Sequence, residues 1–295
     1  MTLPSGPHGG DGPRVARALG LDPRDVLDLS VSLNPFAPDV EALVGRHVGE
    51  VRRYPDPSVA TAALARALGE PEERLLLTNG GSEAIRLVAA SVGGRVASEP
   101  EFALHPRGGV GPRWRSNPHS PSGVLASADE HADVWDEAFY PLAAGAWTRG
   151  DAASIVVGSL TKVFSGPGLR LGYVLGDDVA RFAADQPGWP VNSLALAVLP
   201  ELLDATDLPA WRIAVAGRRE ELVDLLADHG LTASAADAPW VLVEAPGLRE
   251  RLARARVVVR DCTSFGLPGH VRVGLPDERG LEQLDAALHS VGVRR

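Results

Sequence analysis

Lys162 stands in the stretch GSLTKVFSGPGLRLGY, residues 158–173, among hydroxyls, glycines and a proline, with Arg170 eight positions later. The chain carries 29 lysines and arginines together, nearly all of them arginine, so a solitary lysine in such a turn is conspicuous. Burial and nearby positive charge strip the proton from an ammonium and make it a nucleophile. The commonest use of such a lysine is a Schiff base with a carbonyl. Taken alone, a lysine in a turn is usually a solvated surface group. Its companions in the sequence have to decide.

One carbonyl cofactor, pyridoxal phosphate, makes three further demands: a phosphate cradle, an anion facing the pyridine nitrogen, and a flat group over the ring. TNGGSEA (78–84) is a glycine-rich turn between a predicted strand and a predicted helix. There the free backbone N–H groups of Gly81 and Ser82 and the helix dipole would face an anion. Ser159 and Thr161 add hydroxyls, and Arg170 adds a guanidinium that can hold a phosphate bidentately. Asp136, in VWDEAF (134–139), ends a short apolar run. A carboxylate in that place keeps a pyridine nitrogen protonated, so that the ring accepts electrons released at a substrate Cα. The bland readings are a tight turn at Gly80-Gly81 and an ordinary helix start at Asp136-Glu137.

These residues need a scaffold, and short apolar runs alternating with longer amphipathic stretches predict an α/β protein. RLLLT (74–78), SIVVGS (154–159) and LGYVLG (171–176) read as strands, the last two flanking the lysine turn. SEAIRLVAASVG (82–93) reads as a helix with Ser82 as its N-cap. A long amphipathic helix is predicted over 208–230. WVLVEA, VVVRDC and HVRVGL follow as strands, with a last helix from about Glu278 to Val291. Residues 103–133, rich in Pro, Gly, Ser, Arg and His, carry little signal and read largely as loop.

Composition narrows the classes. A net charge of −9 without a basic run argues against nucleic acid or an anionic membrane as partner. No stretch approaches the length of a membrane span, and no basic-then-apolar leader is visible at the N-terminus, so a cytoplasmic enzyme or binding protein is expected. The single cysteine, Cys262, excludes internal disulfides and reads as a small buried hydrophobe. No His/Cys/Asp/Glu spacing suggests a metal.

SLTKVFSGPGLRLGY resembles the S-x-[ST]-K-x-[FY]-x-x-x-G-x-R-x-G-[YF] signature of fold-type I pyridoxal-phosphate enzymes, the class I/II aminotransferase superfamily. HGGD (8–11), VLDLSVSLNPFAP (26–38), TNGGSEAI and RDCTSFGLPGHVRV (260–273) together resemble the threonine-phosphate decarboxylases of cobalamin biosynthesis. Their close relatives are the histidinol-phosphate aminotransferases. The resemblance implies an α/β large domain with a mostly parallel central sheet, over 46–204, and a small α/β domain built from 1–45 and 205–295. It makes Lys162 the Schiff-base lysine, Ser159 and Arg170 phosphate ligands and Asp136 the pyridine-nitrogen partner. It puts His8 and Asn34 near a small amino-acid substrate and Arg272 on the substrate's α-carboxylate. EPEFALH (99–105) matches P-T-[FY]-x-x-[YH], which puts His105 over the ring. RYPDPS (53–58) matches the segment whose tyrosine, here Tyr54, reaches the phosphate in a neighbouring subunit, implying a homodimer.

Three departures stand out. NPHSPSG (117–123) puts Ser120 where the family has the asparagine that donates to the cofactor's phenolic oxygen. Phe139 stands where a tyrosine often makes a second such bond. The intervals from Phe102 to Asn117 and from Gly123 to Asp136 are much tighter than the family's, as if a strand–helix unit were trimmed. Three functions therefore stay open: decarboxylation of a phosphorylated amino acid, transamination of histidinol-phosphate type, and a catalytically silent member of the fold.

Overall fold

A computed structural model of the chain describes residues 3–4, 6, 8–151 and 154–292. Eleven strands form two sheets among the described residues. They are β1 (Leu27–Leu29), β2 (Leu75–Asn79), β3 (Arg95–Val96), β4 (Arg113–Ser116), β5 (Val134–Asp136), β6 (Ile155–Ser159), β7 (Leu171–Leu175), β8 (Ala233–Ala235), β9 (Trp240–Glu244), β10 (Val257–Asp261) and β11 (His270–Gly274).

The six-stranded sheet runs β2-β7-β6-β5-β4-β3, with β3 to β6 mutually parallel and β7 antiparallel to both its neighbours. Strands β2, β6 and β7 are largely apolar on both faces because both faces are covered. Val134, Val157 and Val174 pack with Ala84, Ile85 and Val88 of the helix Gly81–Val92. Their alternates Trp135, Val156, Tyr173 and Leu175 pack with the helices Ser58–Leu68 and Ser193–Asp204. Each such fully buried aliphatic side chain contributes about 1.5–3 kcal/mol relative to exposure.

The pattern of alternation has one consequence for chemistry. Strands β2, β4, β5 and β6 run the same way, so Gly80, Asn117, Asp136 and Ser159 all arrive at one sheet edge. Strand β7 starts at that edge, immediately after Arg170. The carboxyl ends of parallel strands are where α/β sheets bind ligands.

The five-stranded sheet runs β1-β10-β11-β9-β8 and joins the N-terminal β1, parallel to β10, to the C-terminal strands. The helix Leu208–Asp228 covers it through Val215, Leu222 and Leu226, and the helix Glu278–Ser290 through Leu284, Ala287 and Leu288.

Three sequence expectations change. Ser82 is not the N-cap: the helix starts at Gly81, capped by Gly80 at φ 75°, a left-handed conformation that favours glycine. The loop-like stretch 103–133 hides β4, whose RWRS reads as polar although Trp114 and Arg115 are buried. The tight intervals hold no helix among the described residues. Parallel neighbours β3, β4 and β5 are joined by 97–112 and 117–133, in which no helix is described, although such crossovers are usually helical.

Candidate active site

A cavity of about 280 Å³ opens where that sheet edge meets the N-terminal segment and β10–β11. Lys162, Asp136, Gly81, Ser82, Ser120, Ser159, Thr161, Arg170, His8 and Arg272 all contribute to its wall.

Lys162 lies in the single turn Leu160–Val163 that follows β6, and its Nζ donates to Ser159 Oγ at 3.3 Å. Burial lowers its amine to about 8, with the charges of Arg170 and Arg272 adding to the effect and Asp136 opposing it. Roughly a tenth of the amine is therefore neutral at pH 7, against far less for an ordinary lysine, and the neutral form is the nucleophile.

Asp136 ends β5 and is held from two sides. Its Oδ1 accepts from Ala138 N at 3.0 Å, and its Oδ2 lies 2.9 Å from His105 Nε2. Next to it, Glu137 turns to the opposite face, buried, with Arg149 N donating to it at 3.1 Å. Burial pushes the Glu137 carboxyl up to about 7. A carboxyl raised in the folded state stabilises the fold below its unfolded pKa, and that contribution disappears as pH climbs from about 4.5 to 7. Glu137→Gln should therefore equal the wild type near pH 4.5 and exceed it at pH 8 by up to about 3 kcal/mol in urea melts. Parallel pH curves for the two proteins would contradict this.

Opposite the lysine, the first turn of the helix Gly81–Val92 faces the cavity. A Cβ on Gly80 would stand 2.5 Å from Arg170 Nη2, and one on Gly81 3.0 Å from Ser159 Cβ. Glycine is what keeps this cradle open. Arg170 itself sits at φ 58°, left-handed for a residue with a Cβ. That backbone turn brings its guanidinium against the cradle, with Nη2 3.4 Å from Asn79 O.

The far wall is cationic. Arg260 and Arg272 are register partners on β10 and β11, both buried. Arg272 Cζ rests 4.5 Å from the centre of the Trp240 ring, while its Nε has no hydrogen-bond partner. Burial, followed by the charge of Arg260, lowers the Arg272 guanidinium to about 9. Like charges facing each other across strands are destabilising, and the charges of Asp11 and Asp261 act on Arg260 in the opposite sense. His8 completes the wall, and burial, then Arg260 and Lys162, hold its imidazole below the ordinary range.

Three expected residues lie elsewhere. His105 is buried against Asp136 and Trp114 and does not face the cavity. Phe102, three residues earlier, does, with His8 5.4 Å from its ring. Asn34 is bonded to the lysine turn instead of facing a ligand. Its Nδ2 donates to Val163 O at 3.0 Å and its Oδ1 accepts from Phe36 N at 3.0 Å. Tyr54 is 80% exposed and packs on Trp189 at 4.7 Å, outside the cavity of its own chain.

Arg260, Phe102 and Glu101 join the site without having been expected there. Arg260 lies within RDC (260–262), so its signal is present in the sequence. Glu101 gave none: it is buried, accepts from Ser116 N at 2.9 Å, and stands 3.8 Å from His105 Nδ1.

The family model for aminotransferase class I and II matches residues 114–288. The chain belongs to that family. Histidinol-phosphate aminotransferase of Halorubrum lacusprofundi is 28% identical, over 93% of this chain and 91% of that protein. Threonine-phosphate decarboxylase of Salmonella typhimurium is 30% identical, over 99% of this chain and 98% of that protein. Histidinol-phosphate aminotransferase of Sinorhizobium meliloti, solved with pyridoxal-5'-phosphate, superposes with a TM-score of 0.74 at 18% identity, over 95% of this chain and 94% of that one. The Halorubrum alignment runs over 341 residues against 295 here, so that relative carries segments this chain lacks.

As a member of the class I/II family the chain is a pyridoxal-phosphate-dependent enzyme, a transferase or a lyase. Its donor set fits the cofactor. A lysine with a lowered pKa, a carboxylate at a strand end, an open glycine cradle and a guanidinium converge on one cavity. No helix among the described residues is long and apolar enough to cross a membrane.

Proposed function

We propose that this enzyme decarboxylates a small phosphorylated amino acid, O-phospho-threonine first among candidates, as a step of cobalamin biosynthesis. The observation that carries this reading is the buried Arg260–Arg272 pair, with His8 beside it, in the same cavity as Lys162. Two cations on adjacent strands suit a small substrate with two anionic groups, a carboxylate and a phosphate.

Gly81, Ser82, Ser159, Thr161 and Arg170 hold the cofactor phosphate, and Asp136 pairs with the pyridine nitrogen. Ser120 presents a short donor to the phenolic oxygen. Once bound, pyridoxal phosphate supplies an aldehyde for the substrate amine and an electron sink for the pair left at Cα. His105, hydrogen-bonded to Asp136, fixes the orientation of that carboxylate, and Phe102 covers the site. Arg272 orients the substrate carboxylate, which selects the Cα bond to be broken. Lys162, with an amine near 8, holds or returns the proton at Cα.

Transamination of histidinol-phosphate type is the second reading, supported by the Halorubrum relative. Incubating the holoenzyme with O-phospho-threonine, and separately with histidinol phosphate and 2-oxoglutarate, separates them. Carbon dioxide without an oxo product supports decarboxylation. Glutamate formation overturns it in favour of the transferase. Silence with both, despite bound cofactor, overturns both substrate assignments.

The site is completed in a homodimer, in which Tyr54 of one chain reaches the cofactor phosphate of the other. Tyr54 and Trp189 (63% exposed) pack together as an exposed aromatic pair suited to a second copy. Sedimentation equilibrium should find a dimer at micromolar concentration, and Tyr54→Ala with Trp189→Ser should shift it toward monomer. A monomeric wild type would refute the assignment.

A further inference from the structure

Three side chains that the reaction does not use meet at the ends of two helices. His229 closes the helix Leu208–Asp228, and Asp285 and His289 stand one turn apart near the end of the helix Glu278–Ser290. An i, i+4 spacing puts the last two on one helix face. His229 Nε2 lies 2.6 Å from Asp285 Oδ1, and His289 Nδ1 lies 3.3 Å from the same oxygen. The two imidazoles stand edge to face, their centres 4.4 Å apart.

We propose that His229, Asp285 and His289 bind a divalent transition-metal ion of the Zn²⁺ type. Bonds of about 2.0–2.1 Å to a tetrahedral ion set neighbouring ligand atoms roughly 3.3 Å apart. One ligand atom from each of the three residues already falls within 4.8 Å of the others. The Asp285–His289 separation already matches this spacing; turning the half-exposed carboxylate opens the shorter His229–Asp285 contact, and the exposed His289 ring follows the same oxygen.

Burial divides the labour. The His229 side chain is 6% exposed and fixes one ligand against the fold; that of His289 is 69% exposed and leaves an entry path. His289 Nδ1 otherwise donates to Asp285 O at 3.0 Å, a bond it gives up to coordinate. Water takes the fourth position. Two imidazoles and one carboxylate suit Zn²⁺, Ni²⁺, Co²⁺ or Cu²⁺, whereas Mg²⁺ and Ca²⁺ require mostly oxygen donors. The ion clips the two helices that cover the five-stranded sheet.

The test uses tag-free holoenzyme, dialysed against micromolar ZnCl₂ with MgCl₂ as the control. One equivalent of zinc should bind and the melting temperature should rise. Asp285→Asn and His289→Gln, both at the surface, should each weaken binding at least tenfold and cancel that rise, with turnover unchanged. Co²⁺ in place of zinc should give visible bands in the wild type that both variants lack. Zinc binding that both variants retain, binding of magnesium alone, or no binding by the wild type would overturn the proposal. His229→Gln removes a buried partner and can fail to fold, so the two surface variants carry the decision.

Discussion

Lys162→Ala should lower turnover by roughly 10³-fold or more, since the proposed function makes this lysine both the covalent anchor and the proton carrier at Cα. The result has a readout independent of activity. Lys162 is the only lysine in the chain, so borohydride reduction of holoenzyme followed by peptide mass spectrometry should find the cofactor mass on residue 162. The variant should carry none and lose the visible absorbance of bound cofactor. The fold should not suffer. Burial works against the ammonium here, lowering it to about 8, and alanine removes that cost. Apo-variant and apo-wild type should therefore melt within a few degrees of each other. A variant that keeps the cofactor mass, or most of its turnover, would dismantle the assignment of this cavity.

Arg272→Met should separate binding from stability in the opposite directions. Losing one partner of a buried charged contact costs about 2–5 kcal/mol, so KM for the amino-acid substrate should rise about 30- to 5000-fold or saturation disappear. Arg272→Lys should not rescue it, because a point charge cannot replace a bidentate fork. The unliganded protein should become more stable, because a guanidinium lowered to about 9 by burial and by Arg260 is held at a cost. Methionine fills much the same volume without charge. Equal KM values in wild type and Arg272→Met would remove the carboxylate role. A clear fall in melting temperature would show that the arginine is structural.

Much of the site was legible because its parts are local. A strand, a glycine turn and a helix N-terminus follow one another within residues 75–92, and the chemistry of an anion cradle requires only that order. Ser159, Lys162 and Arg170 likewise lie within one turn between two strands, where chain connectivity alone keeps them close. The α/β class was legible for the same reason, since apolar periodicity is a property of neighbours. Strand β4 escaped notice because Arg113, Arg115 and Ser116 have no apolar alternation to show. The burial of Arg115 and Ser116 comes from the strand's place between β3 and β5.

The residue types and short spacings thus determined the chemistry: one lysine, its hydroxyls, its arginine, and a carboxylate at a strand end. Only the tertiary structure decided where the longer-range groups point. Within one motif, it set Phe102 in the cavity wall and turned His105 onto Asp136, a choice made by packing against Trp114 rather than by spacing. It committed both polar ends of Asn34 to backbone, Val163 among it, 129 residues away. It made Arg260 and Arg272 neighbours through antiparallel register, and brought His229 to Asp285 across 56 residues. The physical reason is common to all of these. Backbone connectivity orders groups a few residues apart, whereas a contact across a hundred residues exists only once the core has closed and burial has forced each polar atom to find a partner.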